Sequence, residues 1–218
     1  MSDASQHSFQ VHDLLLLRQG LLSAACEAQP PWVTSRHPAH QWVVVRRSAA
    51  PDGQVAIGVR GSSRQQRWGG YADLADVIER LRPSQLSSDR LRGSRLMLPA
   101  LAALTWLKVR LNHLEHEWGP VGSVGFELAT GQPVVTATSD LDIALFAPTR
   151  FTRETARSLW NLIRKAPSKI DVRVETSVCG FSLEEYAREG EETVLIRLPD
   201  RRQFAKDPWS ISALKDKA

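Results

Sequence analysis

Between residues 141 and 175 the hydrophobic pattern changes period twice, and this constrains the fold more than any other feature of the chain. Leu141 to Ala147 is a short apolar run, Thr152 to Lys165 repeats Ala156, Leu159, Trp160 and Ile163 at helical spacing, and Ile170 to Glu175 alternates in period two. This predicts strand, helix, strand, with Thr152 as N-cap and Pro167 as the stop. Further on, Ser182-Leu-Glu-Glu185 has the form of a capping box at a third helix start, and Thr193 to Leu198 supplies another strand. Interleaved elements of this kind pack as helices on a small sheet, so the C-terminal half is expected to be α/β or α+β.

Upstream, Leu101, Leu104, Lys108, Leu111, Leu114 and Trp118 trace one helical face, which Gly119-Pro120 is expected to end. His113 and His116 would lie three apart on that helix. Their spacing is open to a metal pair or, with no Cys or third ligand nearby, to an ordinary solvated position. The stretch from Arg82 to Arg95, rich in Ser, Arg and Pro, has the composition of a linker. It divides the chain into a smaller N-terminal α+β domain, residues 1–90, and a C-terminal domain, residues 91–218. In the first, the β-branched runs Gln41 to Arg47 and Gln54 to Arg60 flank the turn signal Pro51-Asp52-Gly53 and predict a hairpin. After Gly69-Gly70, the spacing of Leu74, Val77, Ile78 and Leu81 predicts an amphipathic helix over 71–81.

A chain of 218 residues buries enough apolar surface to fold without covalent staples. Its two cysteines, Cys26 and Cys179, form no Cys-x-x-Cys or His/Cys cluster and fit reduced thiols in a cytoplasmic protein. The start, Met-Ser-Asp-Ala-Ser-Gln-His, lacks the basic and apolar parts of a signal peptide. The longest apolar stretch, near Leu96 to Leu107, contains Pro99 and runs into Lys108 and Arg110, so no membrane span is expected. The net charge of +4 is carried mostly by arginine, which suits phosphate-bearing or acidic partners. It is too small to indicate nucleic acid, which is not expected as a partner.

Chemistry concentrates around Asp140-Leu-Asp142. Separated by one residue on a strand, the two carboxylates share a face while Leu141 and Ile143 point to the core. They repel each other unless a cation lies between them, and hard divalent ions held by carboxylates serve phosphoryl and nucleotidyl transfer. On its own the pair equally describes an exposed strand edge. Upstream, Gly122-Ser123 opens a helical segment, Val124 to Thr130, closed by Gly131. Backbone N–H groups and a hydroxyl at such a start cradle phosphate, whether or not Ser123 is also the N-cap. Downstream, Asp171, Arg173 and Glu175 share one face of their strand, and Asp171 completes a carboxylate triad if that strand lies beside the first.

A Gly-Ser helix start, apolar-Asp-apolar-Asp-apolar, then a third Asp on a later strand resembles the nucleotidyltransferase superfamily typified by DNA polymerase beta. Six segments narrow the resemblance: His12-Asp-Leu-Leu15, Gly122-Ser-Val-Gly-Phe-Glu-Leu-Ala-Thr-Gly131, Ser139-Asp-Leu-Asp-Ile-Ala-Leu145, Asp171-Val-Arg-Val-Glu-Thr176, Gly180-Phe-Ser-Leu-Glu-Glu-Tyr-Ala-Arg188 and Asp207-Pro-Trp209. Together they resemble the malonate decarboxylase holo-acyl-carrier-protein synthases, also called phosphoribosyl-dephospho-CoA transferases. Residues 124–139, between Ser123 and Asp140, form a longer gap than the superfamily's usual one and allow an extra loop over Gln132 to Thr138.

The resemblance implies a nucleotidyltransferase-like C-terminal domain, a small mixed sheet flanked by helices. It also implies transfer of the prosthetic group from triphosphoribosyl-dephospho-CoA to a serine of the malonate decarboxylase acyl carrier subunit, with release of pyrophosphate. Asp140 and Asp142 would hold Mg²⁺, Gly122 and Ser123 the β- and γ-phosphates, and Asp171 a second ion or the serine proton. A strand-end Asp171 paired with an arginine is the competing assignment. Arg46, Arg47, Arg60, Arg64 and Arg67 suggest a surface for an acidic carrier or a plain solvated face, with Arg60 or Arg64 as a substrate-binding contact to the triphosphate. Competing functions are nucleotidyl transfer to another acceptor, such as the citrate lyase carrier, a small molecule or RNA, and a non-catalytic nucleic-acid module.

Overall fold

A computed structural model describes residues 9–18, 22–24, 28–34, 42–61, 63, 65–88 and 93–211. It contains two sheets and several helices, an α+β fold. Backbone contacts divide the chain into Met1–Arg82 and Pro83–Ala218. The division thus falls at the start of the Ser/Arg/Pro-rich stretch, where residue 90 was the expected boundary. The reason is local: the 3-10 turn Pro83–Gln85 belongs to the second unit, pressed so close to Gly119 that a Cβ there would stand 2.1 Å from the Pro83 carbonyl carbon.

The first unit comprises β1 (Leu14–Leu17), β2 (Ser23–Ala24), α1 (Pro31–Thr34), β3 (Trp42–Val45), β4 (Gln54–Arg60), β5 (Arg67–Asp73) and β6 (Val77–Leu81). Its sheet has the order β2-β5-β4-β3-β1-β6, antiparallel throughout. Facing residues bury together: Leu15 opposite Val43, Val59 opposite Trp68, Val55 opposite Ala72. A fully buried side chain such as Ile57 contributes about 1.5–3 kcal/mol. The predicted hairpin is β3–β4. The predicted helix over 71–81 is instead the end of β5, a 3-10 turn and β6. Its apolar spacing does not mark a buried face, since Leu74 is 41% and Ile78 57% exposed. Gly69 breaks nothing; a Cβ there would lie 2.0 Å from Arg46 Nη1, so the glycine makes room for an arginine laid across the sheet.

Among the described residues of this unit one carboxylate is buried. Asp13 is fully buried, pairs with Arg80 at 2.6 Å and accepts from the Gln10 N–H at 2.8 Å. Burial raises its pKa above the ordinary value by more than Gln10 and Arg80 lower it.

The second unit contains α2 (Pro99–Arg110), β7 (Glu117–Pro120), α3 (Gly122–Thr130), β8 (Leu141–Phe146), α4 (Arg153–Ile163), β9 (Ile170–Glu175), β10 (Gly180–Ser182), α5 (Leu183–Ala187), β11 (Val194–Arg197) and β12 (Arg202–Ala205). The sheet order is β12-β11-β10-β9-β8-β7, with β8 and β9 parallel and the other pairs antiparallel. The strand-helix-strand unit is therefore β8-α4-β9, and Thr152 caps α4 by accepting from the Thr155 N–H. Ser182 likewise accepts from the Glu185 N–H. The helix predicted to run to Trp118 stops at Arg110; Trp118, Gly119 and Pro120 form edge strand β7, where a proline is tolerated. His113 is then an exposed turn residue, and the His116 ring lies 5.7 Å from Phe151. No described helix is long and apolar enough to cross a membrane.

Candidate active site

β7 lies antiparallel to β8, with Pro120 opposite Ile143, and delivers the chain to the start of α3 beside Asp142. The Val121 N–H donates to the Asp142 carbonyl at 2.8 Å. Gly122 follows with φ +61°, and a Cβ on it would stand 2.1 Å from Asp142 Oδ2. The backbone angle favours glycine here, and the absence of a Cβ leaves room for the Asp142 carboxylate. One turn on, a Cβ at Gly125 would lie 2.6 Å from the Pro120 carbonyl oxygen, so the motif's second glycine lets α3 fold back against β7. The N-cap of α3 is Val121, without a side-chain cap bond. Ser123 is thus not the N-cap; it is the second helical residue, half-buried at the end of the helix that meets Asp142.

Leu141, Ile143 and Leu145 are buried, and alternation places Asp142 on the opposite face of β8 with Asp140 just before it. Asp140 is exposed and pairs with Lys169 Nζ at 3.2 Å, while the Leu141 N–H donates to the Lys169 carbonyl at 3.0 Å. In the parallel ladder Asp171 is the direct partner of Asp142, which brings the third predicted carboxylate to the same face. Among the described residues no arginine reaches ion-pair distance of Asp171. Nor does any group of three or more His, Cys, Asp or Glu side chains among them form a metal-holding cluster. The three aspartates share a face without forming a cage, and Asp142 is the carboxylate beside the start of α3.

The long gap before Asp140 is an ordered loop. Glu127 of α3, 1% exposed, accepts from the Val134 and Val135 N–H groups at 2.8 and 2.7 Å and from Arg95 at 2.6 to 2.9 Å. Arg95 also donates to the Val135 carbonyl. Nearer the aspartate, the Thr136 N–H donates to Ser139 Oγ at 3.0 Å. A buried carboxylate thus ties the loop leading into β8 to the helix whose start faces Asp142.

The arginines belong to the first unit. Arg60 ends β4 as the direct partner of Arg67, and Arg46 lies over Gly58 and Gly69 on the same sheet face. Arg47 is half-buried, and Arg64, like Cys26, lies outside the described residues.

A family model described as the phosphoribosyl-dephospho-CoA transferase MdcG C-terminal domain matches residues 85–208, and its N-terminal counterpart matches 10–83. A phosphoribosyl-dephospho-CoA transferase of Pseudomonas aeruginosa is 40% identical over 94% of this chain and 95% of its own. Proteins of the same name from Pseudomonas putida (38%; 93% and 96%) and Klebsiella pneumoniae (33%; 91% and 95%) match over similar lengths. The chain belongs to the phosphoribosyl-dephospho-CoA transferase family. It is therefore an enzyme, a transferase. No solved structure matches it.

In this transferase the segment matched by the C-terminal family model contains Gly122, Ser123, Asp140, Asp142 and Asp171. Sequence reasoning missed Glu127, Arg95 and Lys169. A signal existed for Glu127, a carboxylate between Val124 and Leu128 on a helix face that is otherwise buried. Nothing in the sequence pointed to Lys169, whose role depends on β9 lying beside β8.

Proposed function

We propose that this transferase moves the phosphoribosyl-dephospho-CoA group from its 5″-triphosphate precursor to a serine of the malonate decarboxylase acyl carrier subunit, releasing pyrophosphate. The observation that carries the proposal is the approach of Asp142 Oδ2 to within 2.1 Å of where a Gly122 Cβ would be. It puts a carboxylate at a helix N-terminus, so a phosphate bound by the first N–H groups of α3 lies beside an acidic oxygen and calls for a cation between them.

Mg²⁺ suits this donor set. It prefers one or two carboxylates together with waters and substrate phosphates to an all-protein cage, and Asp140 and Asp142 are two carboxylates on one face next to an anion cradle. When bound, the ion supplies charge neutralisation on the triphosphate and polarisation at the α-phosphorus. Gly122 and Ser123 hold the β- and γ-phosphates through backbone N–H groups and the hydroxyl. The carrier serine oxygen forms its bond to the α-phosphorus as the bond to the β-phosphate oxygen breaks, and pyrophosphate leaves. Asp171, exposed and level with Asp142, accepts the serine proton. Lys169 holds Asp140 at the mouth of the two strands.

Mass spectrometry of apo carrier incubated with enzyme, precursor and Mg²⁺ tests this directly. The expected product carries the prosthetic-group mass on one serine, and the reaction stops when the metal is chelated. An unmodified carrier, or transfer undiminished by chelation, overturns the proposal or its metal requirement respectively.

A further inference from the structure

The second unit's sheet carries a row of arginines on its acidic face. Asp142 pairs with Asp171, and two residues along β9 Arg173 pairs with Ser182. Gly180 faces Glu175 on one side and Arg197 on the other, and Arg197 faces Arg202. Directly paired and alternate residues stand on the same face of a sheet, so Asp142, Asp171, Arg173, Arg197 and Arg202 share one. The opposite face is covered: Phe181 is fully buried, edge-on to Tyr186 of α5 and to Trp209. With strands about 4.8 Å apart and residues about 3.3 Å along a strand, the Arg173 backbone is on the order of 8 Å from that of Asp142, with Arg197 and Arg202 farther out.

These three guanidinium groups have no hydrogen bond or ion pair among the described residues. Arg173 is half-buried, and Arg197 and Arg202 are exposed. Burial lowers the pKa of Arg197, and the like charges of Arg173 and Arg202 lower it further, ahead of the opposing influence of Asp171 and Glu185. Asp171, Glu185 and the buried Glu175, whose carboxylate lies over Gly180, offset part of this positive charge, and a bound polyanion relieves the remaining repulsion among the three arginines.

We propose that Arg173, Arg197 and Arg202 form the subsite for the diphosphate of the donor's dephospho-CoA unit. The inference rests on the reading above that the reacting triphosphate lies at Gly122, Ser123 and the aspartate pair. The donor's chemistry asks for a second anion site, because a dephospho-CoA unit has a diphosphate between adenosine and pantetheine, separated by two riboses from the phosphates of the attached phosphoribosyl group. Guanidinium forks match phosphate oxygens in bidentate fashion. A half-buried Arg173 favours a small anion entering the face over the flat carboxylate surface of a protein.

Calorimetric titration of the full chain with dephospho-CoA, without metal, isolates this subsite, since that probe lacks the triphosphate. Arg173→Gln and Arg197→Gln are each expected to weaken binding about tenfold or more, Arg202→Gln less, because each removes a charged hydrogen-bond donor from the phosphate oxygens. Arg173→Lys and Arg197→Lys keep the charge but lose the fork; an intermediate loss supports the subsite and serves where a Gln variant fails to fold. Unchanged affinity in folded Gln or Lys variants overturns the proposal, as does a rise in KM for the carrier alone, which would make the row a protein-docking surface. Arginine-dependent binding of dephospho-CoA by an enzyme that modifies no carrier would leave this subsite standing and sink the transfer reaction instead.

Discussion

The two units each build a six-stranded sheet, yet they treat their aspartates in opposite ways. In the first, every strand pairing is antiparallel and Asp13 is wholly buried, its Oδ2 held by Arg80 and the Gln10 N–H while its Oδ1 has no hydrogen-bond partner among the described residues. In the second, the parallel pairing of β8 and β9 sets Asp142 opposite Asp171 on a face where Asp140 and Asp171 are exposed. An enclosed, paired carboxylate serves packing because moving it would strand a charge. Accessible carboxylates held in register and not neutralised by one another are what a cation or a proton-transfer step can use.

The contrast can be broken most sharply at Asp142 and Asp140. Replacement of either by Asn is expected to lower transfer by roughly a thousandfold, the equivalent of several kcal/mol of lost charge stabilisation. The melting temperature without metal should stay level or rise, because repulsion is relieved and the exposed Asp140–Lys169 pair contributes little. Near-normal turnover at saturating Mg²⁺ would place these carboxylates with Asp13, as structural.

Asp13→Ala is expected to do the reverse, destabilising the first unit by about 3 kcal/mol because Arg80 loses its buried partner. Hydrogen exchange in β1, β3 and β6 reads this change locally. The pH dependence has a definite sign. Since the folded pKa of Asp13 is raised, its contribution is fully present below the ordinary value of 3.8 and is lost as pH rises through the folded value. The stability gap between the wild type and Asp13→Asn should therefore narrow as pH rises, and a gap that widens would mean that ionised Asp13 is favoured by folding.

A smaller effect is expected at the proposed phosphate cradle. Ser123→Ala removes a hydroxyl but none of the backbone donors of α3, so the apparent KM for the precursor should rise about tenfold with turnover little changed. A loss confined to turnover would make Ser123 a transition-state contact. The smallest effect is assigned to the first unit's arginines. If Arg60 and Arg67 steer an acidic carrier, Arg60→Glu and Arg67→Glu should each raise its KM about fivefold at low salt and hardly at all at high salt. A rise for the precursor alone would move these residues to the phosphate, and no change would leave a solvated face.

Local signals were legible where one short segment decides the outcome. The β3–β4 hairpin follows from Pro51-Asp52-Gly53, the caps of α4 and α5 from Thr152 and Ser182, and the Gly131 end of α3 from its position after Thr130. The signal failed where apolar spacing fits two periods. Leu74 to Leu81 meets the requirement of a helix, but partners from β1 and β4 claim the neighbouring backbone for β6 and β5. Trp118 continues the spacing of α2, but pairs with Leu145.

By itself the sequence determined the β8-α4-β9 unit, the glycine-led start of α3 and the alternation that puts Asp142 opposite the buried face of β8, because each depends on periodicity or residue type within one segment. Only the tertiary structure decided that Gly122 lies against Asp142, that Asp171 is level with it, that Lys169 meets Asp140 and that Glu127 anchors the intervening loop. Each of these relations joins residues on different elements, and strand order and register are set by how the whole sheet buries its apolar face.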